Sequence, residues 1–185
     1  MKSVPSNAAL LVIDVQQAFN NPTWGKRNNL SAESNIAKLI AKWRDTSRPL
    51  IHVQHRSSSP EGLFNAQGAE FKKEARPLSG EPIIQKAVNS AFIGTNLEVR
   101  LRDTGITSIV IIGITTDHCV STTARMAGNL GFETCVVSDA TATFERWSPE
   151  GRYHTAEAMH DTALTSLSGE FATILDTHSV LSRLL

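Results

Sequence analysis

The chain has 185 residues, 41% of them apolar and 19% charged, which is enough material for one domain with a substantial core and too apolar for a disordered chain. Eighteen Lys and Arg balance eighteen Asp and Glu, so no electrostatic case exists for nucleic acid or an anionic membrane as partner. Two cysteines exclude a disulfide framework and point to a reducing, cytoplasmic setting, and no run approaches the ~20 apolar residues of a membrane span.

The opening MKSVPSNAALLVIDVQ does not read as a signal peptide, because Asp14 interrupts a short apolar run. That run, ALLVID (Ala9 to Asp14), is apolar on both faces and predicts a buried parallel strand closed by a carboxylate. SAESNIAKLIAKWRD (Ser31 to Asp45) predicts a helix with a Ser cap and Ile36, Leu39, Ile40 and Trp43 on one stripe. PLIHVQH (Pro49 to His55) is a second strand. Ser57 to Pro82 is the least regular stretch, a loop or lid with one short helix. PIIQ (Pro82 to Gln85) is a third strand, followed directly by Lys86.

NLEVRLRDTG (Asn96 to Gly105) predicts a helix ending on glycine. SIVIIG (Ser108 to Gly113) is the fourth strand, and TARMAGNLG (Thr123 to Gly131) the next helix. ETCVVSD (Glu133 to Asp139) and FATILDT (Phe171 to Thr177) complete six strands, separated by a long helical pattern from Pro149 to Gly169. This alternation predicts an α/β fold: a three-layer, doubly wound, mostly parallel six-stranded sheet with helices on both faces and right-handed crossovers. No linker or repeat divides residues 1–185, so a single domain is expected. Neither GxGxxG nor GxxxxGK[ST] occurs, which leaves dinucleotide and nucleoside triphosphate binding unsupported.

In open α/β sheets, ligands bind beyond the carboxyl ends of the strands. Asp14, Lys86 and Cys119 all fall at such ends. Singly, each has a plain structural reading: a turn cap, a solvated lysine, a small buried hydrophobe. Together they place an acid, a base and a thiol in one crevice. Thr116 or Asp117 could cap the helix that follows, setting Cys119 in its first turn, where free N–H groups and the helix dipole favour a thiolate. Lys86 would lower the thiol pKa further, Asp14 could accept its proton, and the turn from Gly113 to Cys119 could supply oxyanion-hole N–H groups.

At this point ALLVIDVQQAF, PLIHVQH, QKAVNSAFIGTNL and GITTDHCVSTTARMAGNLGFETCVVSDATATF together resemble the isochorismatase-like cysteine hydrolases, a family that includes nicotinamidases and N-carbamoylsarcosine amidases. The resemblance implies a catalytic triad of Asp14, Lys86 and Cys119. It implies a non-proline cis peptide between Ile114 and Thr115, which would aim the N–H groups of Thr115 and Cys119 at a developing oxyanion. It also implies a thioester route to hydrolysis of a small amide or ureide, and a homodimer or homotetramer.

One departure matters. Family nicotinamidases hold a metal through an Asp-x-His pair, whereas HVQHRSSS carries Gln54 and His55 and no such pair, so neither metal nor cofactor is expected. A retained Cys119 also argues against vinyl-ether hydrolysis of isochorismate. Phe19, Trp24, His55 and Phe92 are candidates to wall a small substrate, with Gln16 and Asn89 tuning the polar network. His52 and Cys135 are expected in the core and His118 toward solvent, while His154 and His160, six apart on one helix, are poorly spaced for a metal. The alternative is a redox-sensing or metabolite-binding protein on the same fold, with Cys119 as sensor thiol and Cys135 as its only disulfide partner.

Overall fold

The structure, a computed structural model, describes residues 3–57, 59 and 61–184; positions 58 and 60 of the irregular 57–82 stretch lie outside the described residues. Six strands form one parallel sheet: β1 (Ala9–Ile13), β2 (Leu50–His55), β3 (Ile83–Lys86), β4 (Ser108–Ile114), β5 (Glu133–Ala142) and, after a two-stranded hairpin of β6 (Arg146–Trp147) with β7 (Tyr153–His154), β8 (Thr173–Leu175). The order across the sheet is β3-β2-β1-β4-β5-β8. The chain builds outward from β1 to β3, then returns to the other side of β1 to lay down β4. The topological switch point, where a crevice opens, therefore lies between β1 and β4.

Helices cover both faces, as the alternation requires. In β1, Ala9, Leu11 and Ile13 face one core and Leu10 and Val12 the other; in β4, Ile109 and Ile111 part in the same way from Val110 and Ile112. The first core is closed by α2 (Leu97–Asp103), α3 (Ser121–Asn129) and α4 (Ala156–Leu167), through Leu101, Ala124, Leu164 and their neighbours. The second is closed by α1 (Ala32–Asp45) and α5 (Thr177–Ser182), through Ile36, Leu39, Ile40, Trp43 and Val180. Trp43 is fully buried, and its indole N–H donates to the Ala8 carbonyl at 3.0 Å, so a large apolar side chain enters the core with its polar atom satisfied.

Several expectations shift at their edges. The helix expected from Pro149 starts only at Ala156, because the Thr155 hydroxyl accepts from the Ala158 N–H at 3.1 Å and caps it there, while residues 146–154 turn back as the hairpin. His154 consequently lies on β7 and His160 on α4, rather than on one helix. The strand expected over Phe171 to Thr177 is shortened, since Asp176 accepts from the Ser179 N–H at 2.6 Å and opens α5. Ser31 sits at the start of α1 without a capping side-chain bond. The irregular stretch holds two short 3-10 turns, Ala66–Ala69 and Lys73–Ala75, in place of one helix. Among the described residues, no helix is long and apolar enough to cross a membrane.

Candidate active site

Four neighbouring strands deliver the reactive residues from their carboxyl ends. Asp14 follows β1 with φ of 50°, a left-handed conformation that Asp tolerates better than most residues, and its N–H is held by the Val53 carbonyl at 3.0 Å. Next to it, β4 passes so close that a Cβ on Gly113 would stand 2.0 Å from the Ile13 carbonyl oxygen. Only glycine permits that approach, which brings the turn carrying Cys119 against the end of β1. His55 ends β2 and Lys86 ends β3, in register with each other.

The Lys86 ammonium is the centre of the cluster. Its Nζ lies 2.6 Å from Asp14 Oδ2, 3.2 Å from His55 Nδ1 and 3.4 Å from Cys119 Sγ. The side chains of Asp14 and Lys86 have no solvent exposure. The Asp14 carboxylate, the His55 ring and Cys119 Sγ lie within 4.8 Å of one another, the one grouping among the described residues whose donors are close enough to share a metal ion. Lys86 already contacts all three members, so its fixed positive charge stands where a divalent ion would have to enter. The donor set therefore does not fit a metal while Lys86 remains in place.

Burial and charge set the protonation states. Burial raises the Asp14 carboxyl above its ordinary range, with the Lys86 charge opposing. Asp14 Oδ1 has no partner in hydrogen-bond geometry. The Cys119 thiol is pushed up to about 12, first by burial and then by the negative charge of Asp14, with Lys86 opposing. This corrects the expectation of a thiolate favoured by a capped helix start. Cys119 lies instead in a π turn, Thr116–Val120, that precedes α3, and neither Thr116 nor Asp117 caps a helix. Those side chains are committed elsewhere: Thr116 Oγ1 pairs with His160 Nδ1 at 2.8 Å, and Asp117 accepts from the Thr143 hydroxyl and from the Arg146 guanidinium. The Ile114–Thr115 peptide is cis.

Beside Cys119 lies a cavity of about 130 Å³. Phe19, Trp24 and Phe64 form its apolar wall, and His55, Asn89, Thr115, His118 and Cys119 its polar side. The wall is an aromatic cluster: the Phe19 ring centre is 5.2 Å from those of both Trp24 and Phe64, and the Phe64 and His55 ring centres lie 4.8 Å apart at a 62° angle. Three of the four expected wall residues thus reach the cavity. Phe92 does not; it packs on Phe132 at 6.0 Å in the core. The Ser90 hydroxyl accepts from the Phe92 N–H, and the Thr123 hydroxyl from the Ala91 N–H, folding that segment inward under α3.

Phe64 was not among the expected wall residues. It comes from the irregular stretch, where no periodicity marks one side chain above another. Gln16 anchors that stretch: its amide donates to the carbonyls of His55 and Ala69, both at 2.9 Å, and accepts from the His55 N–H at 2.8 Å. His118 stays half exposed at the cavity mouth, and His52 is buried against Glu81 at 2.9 Å. Cys135 is fully buried, its thiol pushed up to about 12 by burial, in the core on the opposite face of the sheet from Cys119. A disulfide between the two would have to cross the sheet.

Residues 8–179 match the Isochorismatase domain. The chain is 47% identical over 176 residues to the isochorismatase family protein YrdC of Bacillus subtilis, covering 94% of each chain. It is 29% identical over 184 residues to nicotinamidase 3 of Arabidopsis thaliana, covering 91% of this chain and 84% of that one. A crystal structure of an isochorismatase-family protein from Chromobacterium violaceum superposes with a TM-score of 0.94 at 40% identity, over 96% of this chain and 93% of that one.

Proposed function

This chain belongs to the isochorismatase family of hydrolases, and from that premise we propose that it is a cysteine-dependent hydrolase of the C–N bond of a small amide or ureide. The observation that carries the reading is Lys86 bonded at once to Asp14 and to Cys119. Similarity to a nicotinamidase, an amidase by name, supports the same bond class.

The resting cluster is a neutral thiol, a carboxylate and an ammonium. Moving the thiol proton to Asp14 gives a thiolate, a carboxylic acid and the same ammonium. Both arrangements hold a single ion pair around Lys86, so the transfer creates no new net charge in the buried site. A free thiolate is costly before substrate arrives, which fits a thiol raised to about 12. Transfer is therefore coupled to attack: Cys119 Sγ bonds to the carbonyl carbon as its proton passes to Asp14. The oxyanion is received by the N–H groups of Thr115 and Cys119. Asp14 returns the proton to the leaving nitrogen, the C–N bond breaks, and a thioester remains. Water then attacks the thioester, giving a proton to Asp14 and ultimately to the departing sulfur, and the acid product leaves.

The test is ammonia release from a panel of small primary amides and ureides, with wild type beside Cys119→Ser. Release by the wild type that disappears in the variant is the expected result. Release that persists in Cys119→Ser, purified away from host amidases, would overturn the scheme.

A further inference from the structure

Lys86 also sets the state of a fourth side chain. An ammonium has three N–H donors and no acceptor. Its three partners are Asp14 Oδ2, Cys119 Sγ and His55 Nδ1. Because Lys86 can only donate, His55 Nδ1 receives that bond with its lone pair, and the ring proton resides on Nε2. A second ring proton would break the bond and set two cations 3.2 Å apart. Burial, and after it the Lys86 charge, hold the His55 pKa below its ordinary value.

The ring is therefore a neutral donor of fixed orientation. Its backbone is clamped on both sides by Gln16, and its ring packs at a steep angle against Phe64. Nε2 has no hydrogen-bond partner among the described residues, and the ring lines the cavity with Cys119. Facing the cavity rather than the core, this N–H is placed to bond to what enters beside Cys119.

We infer that His55 determines specificity by donating its Nε2–H to an acceptor atom of the bound substrate, so that the site takes neutral or anionic molecules with a carbonyl, carboxylate or ring-nitrogen acceptor near the scissile carbonyl and refuses those that present an ammonium there. The inference rests on the hydrolase reading for the identity of the reaction, and on the Lys86 geometry for the donor itself. A site with a fixed donor discriminates strongly against a ligand that leaves it unpaired.

The experiment separates the two. Cys119 is alkylated with iodoacetamide, which carries an acceptor carbonyl, and with allyl bromide, which carries none. In each case an S–C bond forms, halide leaves and the thiol proton passes to Asp14. Labelling of Cys119 is followed by peptide mass for wild type, His55→Gln and His55→Phe, and the His55 tautomer is read from side-chain 15N shifts.

Expected are an Nε2–H tautomer and an iodoacetamide-to-allyl rate ratio that falls about tenfold in His55→Phe. The ratio is retained in His55→Gln, whose amide offers an acceptor to Lys86 and a donor to the ligand. An Nδ1–H or doubly protonated ring, or a ratio unchanged in His55→Phe while both reagents label well, would overturn the inference and leave the hydrolase reading standing. No labelling of wild-type Cys119 by either reagent would remove both. Should His55→Phe fail to fold, His55→Leu takes its place in the ratio and the 15N shifts still decide the tautomer.

Discussion

Lys86 holds Asp14 and Cys119 in one buried group, so removing its charge has consequences at the level of single residues. In Lys86→Met the Asp14 carboxylate would be left buried without its counter-ion, a loss that typically costs about 3–5 kcal/mol. Its carboxyl would rise further, and since a raised acid favours the protonated form, the variant should be least unstable at low pH and weaken as pH rises. Urea melts at pH 5 and pH 8 measure this, and adding Asp14→Asn should recover part of the loss at pH 8. For activity, the thiol at about 12 lies too high for free thiolate to set the rate in the neutral range. Asp14 must be ionised to take the thiol proton, so kcat/KM should fall on the acid side, through an apparent pKa above 3.8, and stay level from there past neutrality. A rate that instead climbed steadily to pH 10 would mean that thiolate forms before substrate binds. The three candidate catalytic residues were legible in the sequence because Asp14 and Lys86 close apolar strands and Cys119 lies just past another. The thiol's raised pKa was not, because it depends first on how deeply Cys119 is buried and then on the closeness of Asp14, neither of which a strand end conveys.

The elements around the site are tied by charges that do not touch the chemistry. Glu33 in the first turn of α1 receives two bonds from Arg27 and one of 2.7 Å from Lys72, joining the loop before α1 to the segment after Phe71. Burial alone would raise the Glu33 carboxyl, but the bonds from Arg27 and Lys72 outweigh it and hold it at about 2 rather than 4.5. A lowered acid adds stability above its unfolded pKa and loses it as pH falls. The contribution should therefore be full above about pH 5 and vanish between 4.5 and 2. After screening, about 1–2 kcal/mol is expected. Glu33→Gln should lower the unfolding free energy by that amount at pH 7, by about half of it or less at pH 3, and by little once the pH is below about 2. Gln16 makes a similar tie without charge. In Gln16→Ala the segment carrying Phe64 loses its bond at Ala69 and the His55 backbone loses both of its clamps, so faster proteolysis within residues 57–69, a raised KM and a lowered melting temperature are expected. These ties were hidden in the sequence. Glu33 reads as an ordinary helix-start acid, and Gln16 as one of two adjacent glutamines, until the 57–82 segment is folded back over them.

Across the whole molecule, one sheet order explains why residues 14, 55, 86 and 119 meet. Placing β1 between β2 and β4 puts four consecutive carboxyl ends at the switch point. The buried strands and the right-handed crossovers were visible in the sequence pattern, but their order was not, because the apolar runs do not say which strand lies beside which. The cavity wall followed less well: Phe19 and Trp24 come from the loop next to Asp14 and were legible, whereas Phe64 reaches the site across the fold and Phe92 is drawn away by Thr123. The resulting cavity, about 130 Å³, is small beside the roughly 300–1,000 Å³ of pockets for drug-sized ligands. Size should consequently govern the substrate range. Activity in the ammonia-release panel should decline steeply once the acyl group exceeds a single six-membered ring. Phe64→Ala, which removes one wall without touching Asp14, Lys86 or Cys119, should move that cut-off to larger amides and raise KM for the smallest ones. Thermal melts belong beside the kinetics, because the deletion also opens a void in the cluster with Phe19 and Trp24, and about 1–3 kcal/mol of stability should go with it. An unchanged size cut-off in a folded Phe64→Ala protein would mean that the aromatic wall does not set the limit, and that the limit lies in the polar half of the site around His55 and Thr115.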